Sequence, residues 1–217
     1  MPTILITGAG RGLGLELARQ YREDGWRVIG TARKSVAGAD MMTLDVTNFT
    51  DVKQLTSRLK GVPIDVVFCN AGISGKRGMG LGSFDYADWE NVLRVNLLGA
   101  AAVVEALIDN VAASERKIVA LMSSRLGSIT ESSGMTLPYS TSKAALNLLA
   151  KGLAATLAPR GIIVVALSPG WVKTDMGGPS AALTPETSVR GLRKVLGNLR
   201  AQDSGKFLSY DGSAIPW

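Results

Sequence analysis

The stretch Thr7-Gly8-Ala9-Gly10-Arg11-Gly12-Leu13-Gly14 decides the fold of this 217-residue chain. Before it, residues 3–7 form a short apolar run rich in β-branched side chains, which predicts a buried strand. After it, apolar residues recur at helical spacing until Gly25, which predicts a helix. Glycines between a strand and a helix let the backbone approach a phosphate, to which the helix N-terminus offers unpaired N–H groups and a positive dipole. We therefore predict a dinucleotide-binding βα turn; the alternative is a tight turn that holds no ligand.

The rest of the chain alternates predicted strands with predicted helices. Further strands are expected at 27–32, 41–44, 64–69, 117–123, 162–168 and 206–210, and helices at 47–59, 86–112, 138–157 and from Pro185, with Thr47 and Thr184 as N-caps. Strands separated by helices of this length favour parallel βαβ units. We expect an α/β fold, a Rossmann-type doubly wound parallel sheet of about seven strands with helices on both faces, and a ligand at the carboxyl ends of the strands. Residues 1–217 are predicted to form a single domain with a short substrate loop at about 175–184.

The composition excludes several catalytic chemistries. The chain has no histidine and one cysteine, Cys69, which we expect to be an inert core residue. Without histidine there is no Ser-His-Asp triad, Cys-His pair or His-ligated metal site, and one cysteine forms neither an intramolecular disulfide nor a cysteine zinc cluster. We predict no metal site, and a lone cysteine suits the reducing cytoplasm. Acid–base chemistry near neutral pH must then use a group with a shifted pKa.

The formal net charge is +6, but the basic residues are scattered. There is no basic helix and no RNA-binding aromatic signature, so we expect no nucleic-acid partner, only a basic surface that attracts a small polyanion. The N-terminus has no signal-peptide pattern. The longest apolar helical stretch, 97–108, carries Glu105 and is shorter than a membrane span, so no membrane association is expected.

The end of the second predicted strand selects between the two nicotinamide dinucleotides. NAD-binding folds usually place an acidic residue there to hold the ribose hydroxyls, whereas this segment reads Thr31-Ala32-Arg33-Lys34. Arg33 and Arg11 would instead bind a 2′-phosphate, and a charge-assisted hydrogen bond contributes roughly 1.5–3 kcal/mol. We therefore predict a preference for NADP(H), with NAD(H) possible. The alternative is that both arginines are solvated surface residues.

A second candidate site is Tyr139-Ser140-Thr141-Ser142-Lys143, at the start of the helix that follows the fifth strand. Tyr139 and Lys143 share one helix face because they are four residues apart. A nearby ammonium favours the phenolate and lowers the pKa of the tyrosine. The pair therefore supplies the acid–base group that a chain without histidine needs; otherwise the pattern is an ordinary exposed helix turn.

Taken in order, these motifs resemble those of the short-chain dehydrogenase/reductase family over nearly the full length of the chain. The matching residues are Thr7-Gly8 through Gly12 and Gly14, Asp45-Val46, Asn70-Ala71-Gly72, Asn96, Ser123-Ser124, Tyr139 with Lys143, and Pro169-Gly170 with Thr174. Residues 123–128, and Tyr210-Asp211-Gly212 through Pro216-Trp217, resemble a short subgroup that contains bacterial C-factor and the insect sniffer-type carbonyl reductases.

The resemblance implies a role for each matching residue. Tyr139 would donate a proton to a carbonyl oxygen during reduction, and Ser124 would orient that oxygen. Lys143 would bind the nicotinamide ribose and lower the pKa of Tyr139, and Asn96 would hold a water that relays protons to Lys143. The cofactor-binding residues would be Gly8, Arg11, Gly12, Leu13, Gly14, Arg33, Asp45, Val46, Asn70, Ala71, Gly72, Tyr139, Lys143, Pro169, Gly170, Val172 and Thr174. Asp45 and Val46 would meet the adenine, and Thr174 the carboxamide.

Simpler roles stay open for some of these residues. Asn96 would otherwise be a buried asparagine that bonds the backbone, Ser123 a structural neighbour of Ser124, and Trp217 a plug in a surface groove. The spacing from Ser124 to Tyr139 is slightly longer than is usual in the family, and the short 175–184 loop predicts an open site with broad substrate choice.

The function implied is that of an NADP(H)-dependent oxidoreductase that reduces a small-molecule carbonyl, or oxidises the alcohol, by hydride transfer with tyrosine as general acid/base. The alternative is a dinucleotide-binding signalling or regulatory protein of C-factor type with incidental catalysis. The family also implies a homodimer or homotetramer, formed through the helices that begin near Tyr86 and Pro138, and we expect it in the cytoplasm.

Overall fold

The computed structural model describes residues 1–34 and 40–217, and its centre is a parallel sheet. The sheet in these residues has seven strands in the order β3-β2-β1-β4-β5-β6-β7, all parallel. The strands are β1 (Thr3–Thr7), β2 (Arg27–Ala32), β3 (Met41–Thr43), β4 (Val66–Cys69), β5 (Ile118–Met122), β6 (Ile163–Ser168) and β7 (Phe207–Ser209). The predicted Rossmann-type doubly wound sheet is confirmed. Because the strand order reverses between β1 and β4, a crevice opens at their carboxyl ends.

Within residues 1–34 and 40–217, six α-helices connect the strands. They are α1 (Gly12–Glu23), α2 (Phe49–Arg58), α3 (Tyr86–Leu93), α4 (Gly99–Ala112), α5 (Leu137–Leu157) and α6 (Pro185–Asn198), with short 3₁₀ turns at Arg125–Gly127, Ala158–Arg160 and Ala201–Asp203. The prediction of Thr47 as the cap of α2 was wrong, because the cap is Asn48, whose side chain accepts from the Asp51 N–H at 3.3 Å. Thr47 is turned away because its N–H and hydroxyl both donate to Asp45 Oδ1. Thr184 does cap α6, with Pro185 in the first turn.

The sheet is covered on both faces, which explains why its strands read as continuous apolar runs. Alternate side chains of β1 point to opposite sides, so Leu5 packs with α2, α4 and α5 while Ile4 and Ile6 pack with α1 and α6. The catalytic candidates therefore stand at the edge of a rigid, fully packed layer.

Residues 86–112 form one continuous helical stretch in which a π turn (Arg94–Leu98) separates α3 from α4. By length and composition this 27-residue stretch could cross a membrane, so the expectation that the longest apolar helix is too short was wrong. In this fold α4 packs as a core helix, with Val103, Leu107 and Val111 buried beneath the sheet face that α2 and α5 share. The π turn places the buried Asn96 at the carboxyl edge of the sheet.

Candidate active site

The glycine loop has the shape that an anion requires. Gly8 (φ 70°) and Gly12 (φ 54°) adopt the left-handed conformation that glycine tolerates. A Cβ on Gly14 would stand 2.6 Å from Nδ2 of Asn70 and closer still to the carbonyl oxygen of Gly8, so only glycine lets α1 meet the loop. Among the described residues, no side chain caps the N-terminus of α1 and no acidic residue occupies its first turn. These features fit a dinucleotide pyrophosphate, which would accept from the free N–H groups.

The segment after β4 fixes the loop at the reversal of strand order. The hydroxyl of Thr7 accepts from the N–H groups of Asn70 and Ala71, each at 3.0 Å. The Asn70 amide in turn donates to the carbonyl oxygens of Thr7 at 3.0 Å and Gly8 at 3.3 Å. Asn70 therefore holds the glycine loop in place, a role that the motif alone did not reveal.

Asn96 uses its side chain to bond the backbone of the neighbouring loop. Its Oδ1 accepts from the Ile73 N–H at 2.9 Å, and its Nδ2 donates to the Ile73 carbonyl oxygen and to the Ser142 hydroxyl, both at 2.9 Å. A Cβ on Gly72 would lie 3.2 Å from Asn96 Oδ1 and 3.6 Å from Lys143 Nζ, so Gly72 sits between the two side chains. The Asn96 side chain therefore bonds the backbone, as the simpler of the two predicted roles requires. A water relay from Asn96 to Lys143 stays a proposal.

The two neighbouring serines after β5 are placed differently. Ser123 is buried and donates to Oδ1 of Asn147 at 2.6 Å. Ser124 is half-buried and caps the 3₁₀ turn Arg125–Gly127, accepting from the Leu126 N–H at 3.3 Å. Of the two, only Ser124 influences the pKa of Tyr139, which its side chain lowers against the effect of burial.

Tyr139 and Lys143 lie on α5 next to this turn. The ammonium of Lys143 is 5.5 Å from the centroid of the Tyr139 ring and donates to the Met122 carbonyl oxygen at 2.7 Å. Burial lowers the pKa of Lys143 to about 8. Burial also raises the pKa of Tyr139 to about 12, and a hydrogen bond with the Ser124 side chain opposes that shift. The predicted lowering of the Tyr139 pKa by Lys143 is thus reversed in this structure, because burial dominates and the lysine ammonium bonds a backbone carbonyl instead.

The two arginines predicted to bind a phosphate follow neighbouring strands. Arg11 follows β1 and Arg33 follows β2, which pair through Thr7 and Thr31. Arg33 is exposed and near Asp45, whose pKa lies below its usual value, mainly through the Thr47 N–H and partly through the charge of Arg33. Arg11 already has a partner, because its Nη1 lies 2.9 Å from Oδ2 of Asp175, with both side chains well exposed.

The predicted substrate loop begins beside the glycine loop and is tied down at both ends. A Cβ on Gly12 would lie 3.7 Å from Cγ2 of Thr174, so Thr174 covers the start of α1. The N–H of Lys173 donates to the Leu183 carbonyl oxygen at 2.8 Å. The Ser188 hydroxyl donates to the Pro169 carbonyl oxygen at 2.6 Å, and Gly170 (φ 77°) packs against Leu183 and Tyr210.

Three of the predicted cofactor residues pack against or within the core. Leu13 is partly buried on the α1 and α6 side of the sheet, Val46 is buried against Gly99, and Val172 is buried. The buried Val46 and Val172 would therefore meet a cofactor mainly through their backbone groups.

Two polar residues of α5 were missed by sequence reasoning. Ser142 donates to the Tyr139 carbonyl oxygen at 2.7 Å and accepts from Asn96. Asn147 bonds Ser123 and donates from Nδ2 to the Gly127 carbonyl oxygen at 3.0 Å, which joins α5 to the turn that carries Ser124. Asn147 lies one helical turn after Lys143, on the buried face of α5. A polar residue among the apolar residues of that face was the sequence signal that could have identified it.

Ser124, Tyr139 and Lys143 thus converge at the carboxyl edge of the sheet, the same edge at which the glycine loop follows β1. A hydroxyl, a protonated phenol and a buried ammonium in one place can hold and protonate an oxygen atom. Among the residues described, no group of three or more acidic or cysteine side chains could hold a metal ion.

Comparison with known proteins identifies the family of this chain. The family model described as short chain dehydrogenase matches residues 2–182. C-signal of Myxococcus xanthus is 40% identical over 156 residues, which cover 71% of this chain and 93% of that protein. The carbonyl reductase Sniffer of D. melanogaster has a TM-score of 0.93 and 31% identity, with 100% of both chains covered. An NADPH-bound carbonyl reductase from chicken fatty liver has a TM-score of 0.90 and 29% identity, with 100% of this chain and 99% of that chain covered. The glycine loop, the serine, tyrosine and lysine at the sheet edge and these similarities together show that the chain belongs to the short-chain dehydrogenase/reductase family, in the group of C-factor and sniffer types.

Proposed function

We propose that the protein is an oxidoreductase that uses NADP(H) to interconvert a small-molecule carbonyl and its alcohol, with Tyr139 as general acid/base. The observation that carries the proposal is the convergence of Ser124, Tyr139 and Lys143 beside an uncapped helix N-terminus and its glycine loop. The bound nicotinamide supplies or accepts the hydride, so the protein provides binding, orientation and proton transfer.

Tyr139 acts as the proton donor during reduction. With a pKa of about 12 it is protonated at neutral pH, and it can give its proton to the carbonyl oxygen as negative charge develops there. Ser124 donates a second hydrogen bond to the same oxygen and fixes its direction. The Lys143 ammonium, 5.5 Å from the phenol ring, stabilises the phenolate that the transfer leaves behind.

The proton lost by Tyr139 must be replaced. Lys143 is nearly buried and has a pKa of about 8, so near neutral pH it can both give and regain a proton. Gly72 lies between this ammonium and the Asn96 side chain. We propose that a water held at Asn96 reconnects Lys143 to solvent.

The preference for NADP(H) rests on Arg11 and Arg33. Both are exposed guanidinium groups at the carboxyl ends of adjacent strands, and no acidic residue ends β2. The chicken carbonyl reductase, whose fold this chain shares, was solved with NADPH bound. NAD(H) stays possible because the glycine loop serves either dinucleotide.

The wider setting of the enzyme is also a proposal. Residues 1–217 would form one dinucleotide-binding domain, in the cytoplasm, without nucleic-acid or membrane partners. A homodimer or homotetramer would bury the exposed Leu98 before α4 and Leu148 on α5. The short 175–184 loop would leave the cleft open to varied carbonyl substrates.

The test is to measure NADPH oxidation with a panel of aldehydes, ketones and quinones, for the parent and for Tyr139→Phe. The variant should lose turnover and keep its affinity for NADPH, because it lacks only the phenolic hydroxyl. Turnover by Tyr139→Phe at the parent rate would refute the mechanism. Tight NADPH binding by the parent with no turnover on any substrate would instead favour the signalling alternative of C-factor type.

A further inference from the structure

The residues 213–217 lie against the loop that carries Ser124. Their backbone runs antiparallel to β7, with the Ile215 N–H donating to the Phe207 carbonyl oxygen at 2.9 Å. The Trp217 carbonyl oxygen then accepts from the N–H groups of Ile129 and, at 3.1 Å, Thr130. The 213–217 segment is therefore hydrogen-bonded to the backbone that follows the turn Arg125–Gly127.

Ser128 joins the two segments at the point nearest to that turn. Its hydroxyl is buried and donates to the Pro216 carbonyl oxygen at 2.6 Å. The Ser128 hydroxyl oxygen in turn accepts from the Glu131 N–H at 3.2 Å. Ser128 is four residues after Ser124, so this contact fixes the outgoing end of the turn.

The Trp217 ring anchors the segment to the body of the protein. It stacks on the buried Phe207 ring, with centroids 5.7 Å apart and an interplanar angle of 23°. The Lys151 ammonium of α5 lies 5.4 Å from the centroid of the Trp217 ring. The ring thus links β7 and α5 through one side chain.

The other side of the turn is held by α5 and β6. Asn147 donates to the Gly127 carbonyl oxygen at 3.0 Å, and the Arg125 N–H donates to the Ser168 hydroxyl at 3.1 Å. Gly127 packs directly on the backbone of Lys143, where a Cβ would be 2.8 Å from the carbonyl carbon. These contacts and the 213–217 segment hold the turn Arg125–Gly127 from both sides, and Ser124 caps its start.

We propose that Trp217 and Ser128 are positioning residues, which act through this clamp to aim the Ser124 hydroxyl at the substrate oxygen beside Tyr139. The inference rests on the proposed function, since it presumes that Ser124 holds that oxygen. A hydrogen-bond donor contributes to catalysis only when its geometry is fixed within a few tenths of an ångström. Loosening the clamp therefore affects turnover more than binding of the dinucleotide, whose glycine loop lies at β1.

The test compares Trp217→Ala with Trp26→Ala, which is a matched control at the opposite edge of the sheet. Trp26 precedes β2, packs edge-to-face on Tyr21 at 4.9 Å, and has the Arg116 guanidinium 5.4 Å from its ring centroid. Both substitutions remove an indole that packs on an aromatic ring beneath a cation. Of the two residues, only Trp217 is hydrogen-bonded to the loop after Ser124, through its backbone oxygen, and its indole anchors that segment.

For Trp217→Ala we expect kcat to fall roughly 10- to 100-fold, with the NADPH Kd unchanged. Trp217→Phe keeps the stacking on Phe207 and should restore most of the turnover. Hydrogen exchange at residues 125–130 should be faster in Trp217→Ala than in the parent. Trp26→Ala should lower the Tm and leave both kcat and that exchange at parent values.

Full kcat in Trp217→Ala, with only a lower Tm as in Trp26→Ala, would overturn the inference. Should Trp217→Ala not fold, Ser128→Ala removes one hydroxyl and must show the same drop in kcat, otherwise the inference fails. Ser124→Ala distinguishes failure of the positioning role from failure of the proposed function. Full turnover in Ser124→Ala overturns the role of Ser124 itself, whereas its loss together with unaffected Trp217→Ala and Ser128→Ala overturns the positioning role alone.

Discussion

We predict that the ion pair between Arg11 and Asp175 affects the preference of the protein for NADPH over NADH. It joins the glycine loop to the substrate loop through an Nη1–Oδ2 distance of 2.9 Å. A 2′-phosphate at Arg11 would have to share or replace this carboxylate. We therefore expect Arg11→Ala to weaken NADPH binding and Asp175→Asn to strengthen it, with little effect of either on NADH.

The size of each effect follows from exposure. The side chains of Arg11 and Asp175 are 68% and 81% exposed, so the pair contributes on the order of 0.2–1 kcal/mol. Its removal in Asp175→Asn should lower the NADPH Kd by at most about fivefold. A hydrogen bond from Arg11 to phosphate contributes roughly 1.5–3 kcal/mol, and high exposure favours the low end, so Arg11→Ala should raise the NADPH Kd about tenfold.

The assay is calorimetric titration of both dinucleotides into the parent, the two single variants and the double variant. The double variant should resemble Arg11→Ala, because Asp175 acts only through the arginine. Raising the salt concentration to about 1 M shortens the Debye length to about 3 Å and should shrink every NADPH difference.

Two outcomes would refute this prediction. If Arg11→Ala weakens NADH and NADPH by the same factor, Arg11 does not read the 2′-phosphate. If Asp175→Asn weakens NADPH binding, the carboxylate supports the bound state and does not compete with it. If Arg11 does not read the 2′-phosphate, Arg33 alone would carry the preference for NADPH.

Two further predictions concern the glycine loop and the buried lysine. Gly14→Ala should destabilise the fold by about 1–3 kcal/mol and abolish dinucleotide binding, since its Cβ would collide with the Gly8 carbonyl oxygen. The control Gly152→Ala, on α5 with open space around it, should not destabilise the fold. Thermal melts with and without NADPH check both variants, and a Gly14→Ala protein with the Tm and NADPH response of the parent would contradict the loop geometry. The pKa of Lys143 is about 8 in the folded protein and 10.5 in the unfolded chain. Between these two pH values the unfolded state binds more protons than the folded state, so the free energy of unfolding should rise with pH. From pH 8 to 9.5 the gain should be about 1–2 kcal/mol relative to Lys143→Met, measured by urea unfolding, and parallel pH profiles of the two proteins would refute the assigned pKa.

The parts of the fold that local sequence controls could be predicted. The strand, glycine turn and helix around Gly8 are adjacent in the chain, and so are Thr184 and the helix that it caps. Thr47 and Asn48 are both good caps, and the choice between them depended on Asp45, whose carboxylate binds Thr47. That contact is a detail of side-chain geometry that residue types do not encode.

The electrostatics of the site could not be predicted in the same way. Spacing correctly placed Tyr139 and Lys143 on one helix face, but the direction of the tyrosine pKa shift depended on burial and on the choice of Met122 as the lysine's partner. Asn147 was missed for a related reason, because its two partners, Ser123 and Gly127, are at least 20 residues away. Such contacts exist only once β5 and α5 have packed.

The π turn at Arg94–Leu98 has a consequence for how this fold could diverge. A π turn accommodates one extra residue within an α-helix. Because the wider turn absorbs that residue locally, α3 and α4 keep nearly the relative orientation of one continuous helix. Deleting one residue there should therefore leave Trp89 at the Thr141 hydroxyl, which it meets at 3.0 Å, and Asp88 at the Lys76 N–H, while α4 stays in the core. The deletion would remove only the turn that places Asn96 at the carboxyl edge of the sheet. A single-codon deletion would thus change that corner of the site and spare the fold.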